Sequence, residues 1–279
     1  KMYLKNIKLK NFRNYSSIDI NFYNGINILY GKNGNGKTNL LEAIYFLALT
    51  KSHRTFVDNN LIKNSENFLF VKGEVLDNDI PTILEVYMQD GKKILKKDNN
   101  LIRRITDYIN TFNIIIFHPD DLEIIKGSPD TRRRFLNIEI SQVYTEYLDI
   151  IANYNKILKI RNNYLKEKNI DSNYLDVITD KLTEISIQIY LIRNKYIQRI
   201  NDHISKIYKD LAETNGLKIN YKTSIDIDFK NTDNLKDKLK DFYNSKLEND
   251  IKYGTTRYGP HKDDFEFTVN GKNLKFFGS

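Results

Sequence analysis

The chain has 279 residues, enough for one large or two modest domains with cores of their own. It has no cysteine, which excludes disulfides and thiolate-held metals, and no apolar run of the length a membrane span needs. Lysine and arginine number 44 against 36 aspartates and glutamates, a net charge of +8 that suits a polyanionic partner, nucleic acid before a membrane surface.

The N-terminus carries no signal-peptide core, so a soluble, cytoplasmic protein is the expectation. From Met2 to Asn11 apolar and polar residues alternate, the pattern of a half-buried strand, and Ser16 to Phe22 alternates again after a turn at Arg13-Asn14-Tyr15. Ile26 to Tyr30 reads as a short buried strand. It leads into Gly31-Lys32-Asn33-Gly34-Asn35-Gly36-Lys37-Thr38, which fits G-x-x-x-x-G-K-[ST] at every fixed position. Leu40, Leu41, Ile44, Leu47 and Ala48 then recur at helical spacing. Strand, glycine turn and helix come in the order of a phosphate-binding loop. The glycines let several backbone N–H groups converge on one anion, and the helix start adds its partial positive charge. Lys37 is placed to reach the β- and γ-phosphates of a nucleotide and the Thr38 hydroxyl to ligate Mg²⁺. Next comes Lys51-Ser52-His53-Arg54-Thr55, either a solvated linker or a set of donors close to the nucleotide.

Phe68 to Leu76 and Pro81 to Gln89 pair as strands around Asp77-Asn78-Asp79, and Lys92 to Lys97 with Leu101-Ile102 extend the sheet. The run Phe112 to Phe117 is continuously apolar, as a strand buried on both faces would be. Arg103-Arg104 fits a solvated turn better than a DNA contact.

The character then becomes helical. Ser128-Pro129-Asp130 is a helix start, with serine as cap and proline at the first helical position. An apolar stripe from Phe135 to Leu158 and a second from Ile178 to Leu211 flank the polar break Lys166 to Asn173. Each predicts a helix on the order of 50 Å long, and the two would pack as an antiparallel hairpin. Leu217 to Phe229 alternates like a strand, and Asn234 to Lys252 reads as a charged amphipathic helix. Phe265 to Val269 and Leu274 to Phe277 flank Asn270-Gly271, a dipeptide suited to a type I′ hairpin turn. The predicted fold is an α/β head, with mixed sheets around the phosphate-loop helix, into which a helical hairpin arm is inserted. The boundaries are 1–125 for the N-terminal part of the head, 126–252 for the arm and 253–279 for the return to the head.

Several of these segments together resemble the RecF family, within the ABC-type, SMC-like ATPase heads. They are Leu9 to Tyr15, the phosphate loop continuing through Asn39-Leu40-Leu41-Glu42-Ala43-Ile44, and Lys51 to Thr55. Further on are Phe117 to Leu122, Lys126 to Pro129, Arg132 to Leu136, Tyr154 to Leu165 and Thr256 to Asp264 with its G-P-H-K-D-D. The resemblance covers essentially the whole chain. It implies an ATP- and Mg²⁺-dependent recombination mediator in DNA repair, replication restart and the SOS response. Two heads would sandwich two nucleotides in a homodimer that clamps DNA near single-strand gaps and works with RecR and RecO. Arg13, Asn14, Asn39 and Arg54 become candidates for further nucleotide contacts. Arg132, Arg133 and Arg134 would meet DNA phosphates or, equally, form an internal ion-pair network. Three cations in a first helical turn oppose the helix dipole, which favours an anionic partner.

In such heads a signature motif opening with serine follows, then a Walker B strand. Ser279 would be that serine. Asp263 and Asp264 do not follow a buried apolar strand and belong to the G-P-H-K-D-D segment. No catalytic residue is therefore assigned, and the expectation is a fragment that binds nucleotide weakly without hydrolysing it, the weak ATPase belonging to the full-length dimer. The competing readings are a transporter-type ABC ATPase, another SMC or repair-nuclease head, and a DNA-binding module that retains nucleotide without catalysis. The first would need membrane partners and the second a far longer coiled coil.

Overall fold

Alternation in the first hundred residues does build a sheet. β1 (Met2–Phe12), β2 (Tyr15–Asn21), β3 (Phe68–Asp77), β4 (Ile80–Gln89), β5 (Lys92–Lys97) and β6 (Asn100–Ile102) form one antiparallel sheet in the order β2-β1-β3-β4-β5-β6. In the computed structural model, which describes residues 1–55, 57–212 and 216–277, this sheet belongs to the first of two units, Lys1–Ile116 and Phe117–Ser279. Tight turns set the register, and Asn78 and Asp79 both take positive φ between β3 and β4.

One face of the sheet is apolar. Ile7, Leu9, Leu69, Val71, Val75, Leu84, Val86 and Met88 are buried, and α1 (Lys37–Leu49) contributes Ala43, Phe46 and Leu47 to the same core. The helix comes so close that a Cβ on Gly73 of β3 would lie 2.3 Å from a methyl of Leu47. The absence of a side chain at that position is what lets α1 seat on the sheet. The opposite face carries Lys8 and Lys10 beside Lys72, Glu85 and the stacked pair Phe68–Tyr87.

Two predicted strands are not strands. Ile26 to Tyr30 joins no strand among the described residues, its Asn27 side chain closing a turn on Tyr23 and Gly25 instead, and Ile26 and Tyr30 are 89% and 92% exposed. The run from Phe112 to Phe117 is likewise irregular, with Phe112 buried but Ile115 90% and Phe117 88% exposed. Apolar sequence creates the tendency, but a strand exists only where a neighbour takes up its backbone hydrogen bonds.

The second unit is mainly helical. α4 (Pro129–Val143) starts as its sequence predicts, the Ser128 hydroxyl accepting from the Thr131 N–H with Pro129 in the first turn. It stops at Tyr144, so the first predicted long helix is two, α4 and α5 (Glu146–Tyr164). α6 (Ser172–Ala212) is a single helix of 41 residues. Arg161 meets Thr179, Tyr147 meets Arg193 and Tyr144 meets Arg199, a descending-against-ascending order that makes α5 and α6 antiparallel. Their apolar stripes share one core with residues of α7 (Leu235–Ser245), β7 (Leu217–Lys222) and β8 (Asp264–Val269).

The predicted helix Asn234 to Lys252 is broken at Lys246 into α7 and α8 (Leu247–Tyr253), and the strand predicted to Phe229 ends at Lys222. The β7-β8-β9 sheet turns at Asn270-Gly271, both at positive φ as a type I′ turn requires, into β9 (Lys272–Asn273). Leu274–Phe277 is a helical turn, α9, and not the predicted strand. Among the described residues no helix is long and apolar enough to cross a membrane. The short helices α2 (Thr106–Ile109) and α3 (Glu123–Lys126) complete the set.

The close approach at Gly73 has a direct consequence. Gly73→Val drives two methyls into Leu47 and should destabilise the first unit by about 1–3 kcal/mol, read as a lower denaturant midpoint, with Gly73→Ala affected less.

Candidate functional site

The glycine loop lies at the N-terminus of α1. Gly31, Gly34 and Gly36 have φ of 145°, 86° and 90°, backbone positions that L side chains rarely adopt. Gly36 caps the helix in the left-handed region with no side-chain cap. The first N–H groups of α1 are thus left facing out of the helix end. Lys37 Nζ donates to the carbonyls of Gly31 at 2.8 Å and Lys32 at 2.9 Å, folding the loop around its own ammonium group. Lys32, Asn33, Gly34, Asn35 and Thr38 are exposed.

The turn after β1 is brought to the same place. Arg13 and Asn14 form the two-residue turn between the paired residues Phe12 and Tyr15, Arg13 with φ of 53°. The hairpin end is tied down by the Arg13 N–H on the Leu61 carbonyl and the Lys63 N–H on the Asn11 carbonyl. Tyr15 donates its hydroxyl to the Gly36 carbonyl at 3.0 Å, and a Cβ on Gly36 would lie 2.8 Å from Asn14 and Tyr15. Asn39 in the first turn of α1 donates to Asn14 Oδ1 at 2.8 Å and accepts from Arg54 Nη1 at 3.0 Å. Arg13, Asn14, Asn39 and Arg54, brought together from three stretches of sequence, line a cleft of ≈ 480 Å³ with Asn60, Ile62, Lys63 and Asn64. Of the segment Lys51 to Thr55, Arg54 lines this cleft.

A buried carboxylate sits at the centre of this arrangement. Glu42 of α1 is completely buried, and its carboxylate accepts from Arg13 Nε and Nη2 at 2.9 and 2.7 Å, Ser52 Oγ at 2.6 Å and Arg54 Nη1 at 3.2 Å. Burial alone would raise its pKa. The hydrogen bonds from Arg13 and Ser52 and the charges of Arg13 and Arg54 outweigh that and hold it below the usual carboxylate range. A signal was present in the sequence, because an acidic residue between Leu40, Ala43 and Phe46 on a helix's apolar face needs a cationic partner.

In the second unit the G-P-H-K-D-D segment is packing machinery. Asp263 is buried and accepts from Tyr221 at 2.6 Å, the Ser224 N–H at 2.8 Å and Arg193 at 3.2 Å. Arg193, buried on α6, also donates to the Tyr147 hydroxyl at 2.9 Å, the Pro260 carbonyl at 2.8 Å and Asn137 at 3.2 Å. Burial alone would lower the Arg193 pKa, but Tyr147, Tyr221 and Asp263 around it hold it above its ordinary value. His261 Nε2 lies 3.0 Å from the Thr256 carbonyl, so that nitrogen carries the proton and Nδ1 accepts from the Tyr154 hydroxyl at 2.6 Å.

The arginine cluster is also internal for the most part. Arg132 is buried and bidentate on Asp264 at 2.7 and 2.8 Å, with Nη1 on the Gly127 carbonyl. Arg133 donates to the Asp263 carbonyl and to Asp130. For these two the internal network is the arrangement found, and Asp264 serves as the partner of Arg132. Arg134 is half-buried on the same helix. Ser279 lies outside the described residues.

A glycine loop on a helix N-terminus, backed by a sheet and flanked by arginines and asparagines, defines an ATPase-domain protein. The sequence profile of the family described as AAA ATPase domain matches residues 2–271. Among curated proteins the chain is 38% identical over 283 residues to the DNA replication and repair protein RecF of Halalkalibacterium halodurans, covering 100% of this chain and 76% of that one. It is also 38% identical over 285 residues to the protein of the same name from Lactobacillus johnsonii, with the same coverage. Solved structures of the recombination mediator protein RecF in the RecFOR pathway, one as RecF-ATP and one as RecF-ATPrS, superpose with TM-scores of 0.94 and 0.93 at 32% identity, again over 100% of this chain and 76% of theirs. The chain belongs to the RecF family.

Two outcomes follow for the second unit. Asp263→Ala strips the buried Arg193 of its counter-charge and should cost about 3–5 kcal/mol of stability in denaturant titration. Burial holds the His261 pKa down to about 4 against an ordinary 6.5. The unfolded chain then takes up a proton that the folded chain refuses. The stability present above pH 6.5 is progressively lost as pH falls towards 4, by up to about 3 kcal/mol. Denaturation midpoints measured across that window should flatten in His261→Gln.

Proposed function

We propose that this chain acts as a RecF-type recombination mediator that binds ATP and DNA. The observation that carries the reading is the phosphate loop itself, with three positive-φ glycines, a helix N-terminus and Lys37 turned into the loop. The RecF relatives over the full chain and the RecF-ATP structure support ATP as the ligand.

In this reading the backbone N–H groups from Gly34 to Thr38 take the phosphate oxygens, which need donors in a fixed cradle. Lys37 leaves its carbonyl partners for the β- and γ-phosphates. Thr38, exposed in the first turn of α1, would hold Mg²⁺, which supplies local neutralisation of phosphate charge. Asn14, Asn39 and Arg54 face the nucleotide from the adjoining cleft.

The wider function is a clamp. Nucleotide contacted by two heads favours the closed dimer, and its loss releases it. The closed dimer engages duplex DNA at single-strand gaps, with RecO and RecR as partners, in the cytoplasm. The net charge of +8 fits that polyanion.

Calorimetric titration with ATP and Mg²⁺ tests the site. Lys37→Met and Gly34→Asp should each abolish binding. A Cβ at Gly34 meets no atom within 4 Å, but a φ of 86° strains any L residue there, so Lys37→Met, which leaves the backbone of the loop alone, is the cleaner of the two variants. Normal ATP affinity in both variants would refute the assignment. Light scattering with and without ATP tests the clamp, and DNA binding that falls with salt yet ignores ATP would favour a plain DNA-binding module.

A further inference from the structure

We infer that Glu42 is the positioning residue of this nucleotide site, a buried carboxylate that aims Arg54 and locks Arg13 behind it. The inference rests on the ATP-binding reading above. Glu42 contacts neither the glycine loop nor the open cleft; its oxygens are taken up by Arg13, Ser52 and Arg54.

The two arginines are used differently. Arg13 spends Nε and Nη2 on Glu42 and Nη1 on the Asn60 carbonyl at 2.8 Å, so it is a strut between α1 and the Asp58–Leu61 turn. Arg54 spends only Nη1, shared between Glu42 and Asn39, and its side chain is 42% exposed. Its Nε and Nη2 make no hydrogen bond among the described residues, so they are the guanidinium donors left for an anionic ligand at the cleft. Arginine's planar fork means that fixing one nitrogen orients the others. Ser52 closes the arrangement, since its Oγ donates to Glu42 while accepting from the N–H groups of Arg54 and Thr55 at 2.9 and 3.0 Å. Glu42 therefore sets both the backbone and the head group of Arg54.

Sequence cost argues the same way. A carboxylate buried on the apolar face of a helix is expensive unless paired. A left-handed turn position such as Arg13 is more cheaply filled by Asn or Gly. Packing asks for neither residue, whereas aiming a guanidinium asks for both.

The test is a double-mutant cycle on ATP affinity by calorimetry with the whole chain. Glu42→Gln keeps the shape and removes the charge. It should weaken ATP binding about tenfold, as should Arg54→Ala, and the double variant should be no weaker than Arg54→Ala alone. Glu42→Asp keeps the buried charge but draws the carboxylate back from Arg54 and from its other donors, Arg13 and Ser52; it should show the same loss. A merely structural glutamate would instead lower affinity by the same factor with or without Arg54, and that result overturns the inference. So does unchanged affinity in Glu42→Asp. Lys37→Met is the control. If it abolishes binding while the Glu42 variants do not weaken it, only the positioning role fails. If it too leaves ATP affinity unchanged, the nucleotide site fails and the positioning role with it.

Discussion

The first unit depends on a carboxylate that water cannot reach. Glu42 projects from the phosphate-loop helix into a space bounded by the β1–β2 turn and the chain leaving α1, and it satisfies donors from both. Because it is charged, any arrangement that leaves Arg13 or Ser52 out of reach strands a buried charge, and that cost narrows the alternatives. The candidate nucleotide contacts are ordered by this ion cluster and by the Gly36 carbonyl that Tyr15 holds.

The second unit repeats the principle with the sign reversed. There the buried cation Arg193 collects acceptors from α4, α5, the Pro260 carbonyl and Asp263. A second buried pair, Arg161–Asp250 at 2.7 Å, ties α5 to α8. Hydrophobic burial supplies the bulk of the driving force, with Tyr154, Ile189, Tyr190 and Phe265 in one cluster. Apolar contacts, however, tolerate sliding of one helix along another. The buried guanidiniums do not, since a shift of one turn would leave donors unpaired. The G-P-H-K-D-D segment is rich in polar residues for this reason: it supplies the acceptors and the histidine that the buried polar groups of this unit require.

Much of this was legible in the sequence. The phosphate loop, the start of α4 at Ser128-Pro129 and the type I′ turn at Asn270-Gly271 are local, each set by φ preferences or by a hydrogen bond within a few residues. The long α6 and the six strands of the first sheet followed from periodicity. Two of the strands that failed needed a partner far along the chain. Ile26 to Tyr30 and Phe112 to Phe117 have strand-like composition, but composition does not provide a ladder. The break between α4 and α5 at Tyr144 had no glycine or proline to announce it.

By itself, then, the sequence determined the elements whose energetics are local, together with the chemistry of the glycine loop and membership in a family of ATPase heads. Only the tertiary structure decided which charges are buried in internal pairs and which keep donors open at the cleft. Arg54 and Arg132 look alike in sequence, each a cation among polar neighbours. Arg132 is buried against Asp264, 132 residues away, while Arg54 keeps donors open at the cleft because Glu42 and Asn39 claim only one of its nitrogens. That difference arises from long-range pairing under desolvation. No window along the chain contains it, since the energy of a buried charge is set by whatever the fold brings beside it.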